Sequence, residues 1–258
     1  LKHFVEDSKM ERNILFFAPE KKEGDKTDYS KVYQDIKTGK LSMEEAIKMY
    51  TAIKDPKAIY LKPGIIDSNI YNDLLNAKTG TLSKLINNSQ FVAFAQIVGS
   101  RPSLGYLTFG TISYPNNVEA DQKKKNIFEA LQSGKQFREV AAQFGSTENE
   151  KQNGGVVMGS PALPDIVYQA LKNQKEGYYT QPILIENQYY VFNIYQLVPY
   201  DLTSENQDFF MNEMMKSGYS IAVQNQFINQ LKHSKKFKSA EELTDFSKSF
   251  AAFKVFKN

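Results

Sequence analysis

The chain repeats itself at a domain-sized interval. Tyr71-Asn72-Asp73-Leu74-Leu75-Asn76-Ala77-Lys78-Thr79-Gly80 lies 97 residues before Tyr168-Gln169-Ala170-Leu171-Lys172-Asn173-Gln174-Lys175-Glu176-Gly177, and Tyr, Leu, Asn, Lys and Gly coincide in five of the ten positions. The flanks agree with small shifts: Ile36-Lys37-Thr38-Gly39-Lys40 parallels Leu131-Gln132-Ser133-Gly134-Lys135, and Gln96-Ile97-Val98 parallels Gln196-Leu197-Val198. A period of this size lets each copy bury a core of its own, which points to two tandem domains and away from a solenoid of short repeats.

Within the second copy, Leu107 to Tyr114 is an apolar, β-branched run that reads as a strand. Val118 to Ser133 holds helix formers and stops at Gly134, and Phe137, Val140, Ala141 and Phe144 fall on one helical face. Gly145 to Asn153 is a polar loop, Pro164 suits the first turn of a helix, and Gly177 ends it. Pro182 to Leu184 and Tyr189 to Leu197 are short strands around a hairpin-like turn at Glu186-Asn187-Gln188. The first copy offers the same order with Asn13 to Phe17, Tyr33 to Ile36, Met43 to Ile53, Ala58 to Leu61, Ser68 to Ala77 and Gln90 to Val98. Arg101-Pro102-Ser103-Leu104-Gly105 carries two breakers and reads as the linker. Beyond Pro199, Phe209, Phe210, Met211, Met214, Met215, Ile221, Phe227 and Leu231 recur at helical intervals towards a basic end.

Composition removes several chemistries. The chain has no cysteine and two distant histidines, His3 and His233, so it offers no thiol nucleophile, no disulfide and no metal set, and no cofactor is implied. A net charge of +3 is too mild for a nucleic-acid footprint, which needs Lys and Arg gathered on one face. Apolar runs such as Phe91 to Ala95 fall far short of the roughly 20 residues that a spanning helix needs. Nothing at Leu1 reads as a signal peptide, so either the protein is cytosolic or a leader was removed before this numbering; the start without Met favours a trimmed chain, and any membrane association is expected through a segment outside it.

The order Phe137 to Phe144, polar run, Gly154-Gly155, Leu163-Pro164-Asp165 and the strand Gln188 to Ile194 resembles the parvulin family of peptidyl-prolyl isomerases. The helical text after residue 200 is similar to the closing segments of SurA-, PrsA- and PpiD-type envelope foldases. The resemblance implies an α+β fold: two tandem parvulin-like domains, each a small antiparallel sheet flanked by helices, plus a C-terminal helical segment. The expected divisions are 1–10, the tail of an N-terminal helical segment; 11–100, a degenerate parvulin-like domain; 106–199, a parvulin-like domain; and 200–258, the helical segment. A periplasmic or cell-envelope location follows from the same resemblance.

Isomerising an X-Pro bond means crossing a barrier of about 20 kcal/mol set by amide resonance, and an enzyme lowers it by gripping the proline ring and favouring a twisted amide. Parvulins do this with two strand histidines, a Cys or Asp in the loop, and an apolar pocket. At the matching positions this chain has Gly110 or Thr111, Tyr190 and Thr147, with Val157, Ala162 or Leu163, and Ile166 in the pocket. The catalytic candidates are therefore Thr147 and Tyr190, and the substrate-binding candidates are Val157, Met158, Leu163, Ile166 and Tyr190. The first copy lacks the glycine pair and puts Asn13 and Gln90 or Phe91 at the histidine positions. The expected function is a foldase or chaperone that holds unfolded or extended, proline-containing polypeptide with little or no catalysis. An active isomerase using Thr147 and Tyr190 is one alternative, and a structural scaffold in an envelope complex is another.

Overall fold

The computed structural model describes residues 1–22, 24–62, 70, 73–74, 77–159, 163–217, 219, 221 and 224. The sequence-derived helix over Ser68 to Ala77 and the segment from 225 onward lie mostly or wholly outside them. Two antiparallel sheets carry the chain. The first has the order β2-β1-β4-β3, from β1 (Met10–Phe17), β2 (Ile59–Leu61), β3 (Ile86–Asn87) and β4 (Val92–Pro102). The second has the order β5-β7-β6, from β5 (Tyr106–Pro115), β6 (Ile183–Ile185) and β7 (Gln188–Val198). In each sheet the first long strand pairs with the last one along its length, with one register shift, at Asn13/Ile14 in β1 and at Thr108/Phe109 in β5.

Both sheets are covered on both faces, which is why their strands read as near-continuous apolar runs and not as clean alternation. In the first, Leu15, Phe17, Val92 and Phe94 pack under α2 (Tyr29–Lys37) and α3 (Met43–Tyr50), while Ile14, Ala93, Ala95 and Ile97 meet Ile70 and Leu74 behind. Helix α3 starts where Ser42 and Glu45 form a reciprocal capping box. In the second, Ile112, Tyr114 and Val191 pack under α4 (Ala120–Gln132) and α5 (Phe137–Phe144), and Phe109, Phe192 and Ile194 pack against α7 (Asp165–Leu171). Between them runs α6 (Glu148–Asn153).

The same hydrogen bonds recur 97 residues apart. Gly80 N donates to Ile97 O as Gly177 N does to Ile194 O, and Ile97 N donates to Thr81 O as Ile194 N does to Tyr178 O. The Ser83 hydroxyl, fully buried, accepts from Ala95 N at 2.9 Å, and the Thr180 hydroxyl accepts from Phe192 N at 3.0 Å. Leu82 bridges Gln96 as Tyr179 bridges Asn193, so the structural counterpart of Gln96 is Asn193, not Gln196. The three-residue text match with Gln196-Leu197-Val198 lies three residues further along the strand.

Arg101 corrects the sequence reading most. It does not belong to a linker: β4 continues through Pro102, and only Ser103 to Gly105 separate it from β5. Arg101 is 7% exposed, and its Nε donates to Glu11 Oε2 of β1 at 2.7 Å. Its two terminal nitrogens reach the second sheet's side, Nη1 to Asp165 Oδ1 at 2.7 Å and Nη2 to the Leu163 carbonyl at 2.8 Å. Lys62, also buried, lies 3.7 Å from Glu11 Oε1 and donates to the Gly105 carbonyl at 2.8 Å. Buried charges survive in this way only when paired and hydrogen-bonded. Near the N-terminus, α1 (Lys2–Ser8) packs with α8 (Gln207–Lys216): Phe4, Val5, Tyr106, Tyr200, Phe210 and Tyr219 form one cluster, and the Tyr219 hydroxyl donates to Asp7.

Burial pulls the Lys62 ammonium down from 10.5 to about 8, against the raising pull of Glu11. The unfolded chain, with an ordinary lysine, keeps its proton over that interval while the folded chain gives it up. Stability contributed by this group therefore rises with pH from about 8 towards 10.5. Urea unfolding of the wild type and Lys62→Met should show the difference between them shifting in favour of the wild type from pH 7 to pH 10; an unchanged difference would contradict the burial of a charged Lys62.

Candidate functional site

The face of the second sheet that meets α7 gathers three of the sequence-derived residues, Val157, Leu163 and Tyr190. Phe109, Thr111 and Ser113 of β5 lie opposite Ile194, Phe192 and Tyr190 of β7, alternating with residues that point to α4 and α5. Leu163, 6% exposed, and Val167 pack on Phe109 and Phe192, with Val157 and Tyr190 partly buried against the same cluster. Tyr190 stacks on Phe192 at 6.0 Å between centroids, and its hydroxyl donates to Gln188 Oε1 at 3.3 Å. Tyr189 turns to the other face and stacks on Tyr114 at 5.4 Å. Met158 and Ile166 stay out of this cluster and stand exposed, 69% and 54% accessible. Ala162 lies outside the described residues.

Gly145 to Asn153 is not simply a loop. Thr147 is the N-cap of α6, its hydroxyl accepting from Glu150 N at 3.2 Å, while the Glu150 carboxylate accepts from Thr147 N at 2.9 Å. Six polar residues without apolar periodicity hide such a helix, and only the Thr-x-x-Glu spacing betrays it. Glu150 is the residue that sequence reasoning missed. It is 1% exposed, and the same oxygen also accepts from the Ser113 hydroxyl at 2.8 Å, tying α6 to β5. Ser146 N and its hydroxyl close the same junction on the Ser113 carbonyl.

Gly154 and Gly155 both adopt the left-handed conformation, at φ 65° and 69°. From there the chain runs beside β5: Thr111 N donates to Gly155 O at 3.1 Å, and Phe109 and Val157 exchange bonds of 3.0 and 2.8 Å. A side chain on Gly155 would drive into the Thr111 carbonyl. The hydroxyls of the site are thus committed: Thr147 to a cap, Ser113 to Glu150, Thr111 at 3.4 Å to Gly155 O. Among the described residues the surface offers an apolar floor and hydroxyl groups already hydrogen-bonded within the fold.

This arrangement, an antiparallel sheet between two helices and a short third one with a glycine-paired edge, coincides with a family match. The model of the rotamase family, the PPIC-type PPIase domain, matches residues 112–197, so these residues form a parvulin domain. No curated protein matches the chain. Among solved structures it is similar to foldase PrsA from Streptococcus pneumoniae, at 20% identity over 52% of each chain and a TM-score of 0.32. It is also similar to PrsA from Bacillus subtilis, at 14% identity over 53% of each chain and a TM-score of 0.35. The parvulin NmPin of Nitrosopumilus maritimus is covered in full by 37% of this chain, at 17% identity and a TM-score of 0.30. The chain thus spans about half the length of the two PrsA structures.

The tight approach at Gly155 yields a direct test. Gly155→Ala combines an unfavourable φ with a backbone collision and should cost about 2 kcal/mol or more in denaturant unfolding. Gly99→Ala, whose new carbon would sit at an ordinary 3.6 Å from Asn13, should stay within about 1 kcal/mol of the wild type. Equal effects at the two positions would refute the close packing of residues 155–157 on β5.

Proposed function

We propose that the chain is a foldase-like polypeptide-binding protein whose rotamase domain grips extended, proline-containing segments with little or no isomerase activity. The observation that carries this reading is the commitment of the site's polar groups. Thr147, Ser113 and Thr111 hold the frame together, and Tyr190 bonds along its own strand. Meanwhile Met158 and Ile166 stand exposed beside the apolar cluster of Leu163 and Val157. Burial of apolar surface at about 25 cal/mol per Å² gives affinity for ground state and transition state alike, hence binding without rate.

The proposal includes a second, degenerate parvulin-type unit over residues 11–100. Its support is the matching bond set 97 residues apart, with Ser83 standing for Thr180 and Gln96 for Asn193. It further includes a helical module of α1 and α8 joined through Phe4, Phe210 and Tyr219, and an envelope location, which the family resemblance implies.

Isomerisation of an X-Pro tetrapeptide should be undetectable or orders of magnitude below that of an ordinary parvulin, since losing one placed polar group costs roughly 10²-fold or more elsewhere. A kcat/KM within tenfold of an ordinary parvulin would favour the active-isomerase alternative, and Tyr190→Phe would then be expected to lower it. Chemical-shift changes on titrating unfolded or proline-rich peptide should cluster around Thr147, Val157, Leu163 and Tyr190. Shifts confined to α8 would assign client contact to the helical module and leave the parvulin domain as a spacer.

A further inference from the structure

Arg101 belongs to the first sheet but holds the lip of the second sheet's peptide surface. Its guanidinium is sandwiched between the rings of Tyr60 and Tyr168, at 3.7 and 4.1 Å from their centroids. On one edge it bonds Glu11; on the other it bonds Asp165 and the Leu163 carbonyl. Leu163 is the buried pocket residue, Asp165 opens the first turn of α7, and Ile166 is the exposed apolar residue that follows. The Tyr168 hydroxyl adds a bond of 2.9 Å back to the Pro102 carbonyl. Pro164, which lies between the two contacts, has no N–H to anchor itself and caps α7 without a side-chain bond.

We propose that Arg101 is a positioning residue for the rotamase domain's peptide surface, so that the first sheet sets where Leu163 and Ile166 meet a bound chain. The inference rests on the peptide-binding reading above. Geometry argues for positioning over simple adhesion. An interface needing only attachment could use Asp165, 67% exposed, with any surface cation. Here a planar fork spends one arm on a main-chain carbonyl inside the pocket wall while Glu11 fixes the fork's other edge. A lysine has the charge but cannot span the three acceptors from one plane. Two aromatic faces and nine-tenths burial fix the fork's orientation, so any shift in β1 or β4 is passed to residues 163–166.

The test uses the full chain, labelled with ¹⁵N, and an unfolded X-Pro tetrapeptide as probe. Arg101→Lys keeps the charge and removes the fork; Asp165→Asn weakens the α7 end from a largely exposed position and should fold normally. Ile47→Val, on the buried face of α3 that packs on the first sheet and away from Arg101, controls for general loss of stability there. Both test variants should move the amide signals of residues 163–168 and weaken peptide binding about five- to tenfold, whereas Ile47→Val should do neither. Unmoved 163–168 signals, or wild-type affinity in both test variants, would overturn the positioning role. Equal weakening by Ile47→Val would overturn it too, as a stability effect. If the wild type binds no peptide while both test variants still move 163–168, the peptide-binding reading falls and the positioning of α7 by Arg101 stands.

Discussion

A buried arginine between two sheets is the constraint around which the described structure is organised. Removing a guanidinium from water is costly, and the cost is offset only if its donors are met in good geometry. Arg101 meets that condition with Glu11 from ninety residues upstream and Asp165 from further along the chain. The three groups have to arrive together, so β1, β4 and the start of α7 cannot be placed independently. Lys62 follows from the same demand: with Glu11 already bound by Arg101, the second cation sits 3.7 Å away and turns to the Gly105 carbonyl. One acceptor of the polar junction, the Gly105 carbonyl, thus comes from the turn that joins β4 to β5.

On either side of that junction the same plan is executed with different polar chemistry. Each sheet hangs its closing strand on one buried hydroxyl, Ser83 or Thr180, and buries both faces. What differs is the insert. In the second sheet, Glu150 and Thr147 make a short capped helix and the glycine pair brings residues 155–157 against β5. In the first, the corresponding connection runs through Lys54-Asp55-Pro56-Lys57 to β2, which pairs with β1 as residues 155–157 do with β5. Both outer edges are thus paired, that of β1 by β2 and that of β5 by residues 155–157, and what sets the second sheet apart is the capped helix and glycine pair that lead into its edge. That insert falls within residues 112–197, the stretch that matches the rotamase family.

Much of this was legible in the sequence, because local pattern decides it. The apolar run of β5, the faces of α4 and α5, and the turn at Glu186-Asn187 before β7 all follow from periodicity and turn chemistry acting over a few residues. The chain matching itself at 97 residues also lies in the text, since the residues that close each sheet must satisfy the same bonds. Arg101 was illegible for the opposite reason. Arg-Pro before Ser-Leu-Gly has the local chemistry of a turn, and its partners lie up to 90 residues away, where no periodicity connects them. Glu150 was hidden likewise: a glutamate in a polar run reads as solvated until the Ser113 hydroxyl is known to sit over it. The residues proposed for the pocket come from the family pattern, yet which of them are buried and which stand exposed, as Leu163 and Ile166 do, depends on the start of α7, where Arg101 bonds the Leu163 carbonyl.

The buried junction makes the two sheets one mechanical unit. Native-state hydrogen exchange across a denaturant series measures this directly, because amides that open together share one opening free energy. The amides of Ala95 and Ile97 in the first sheet and Phe192 and Ile194 in the second are matched in position and bonding. The account expects one common opening free energy for all four in the wild type, splitting into two in Arg101→Met. Two separate values already present in the wild type, unchanged by the substitution, would contradict it.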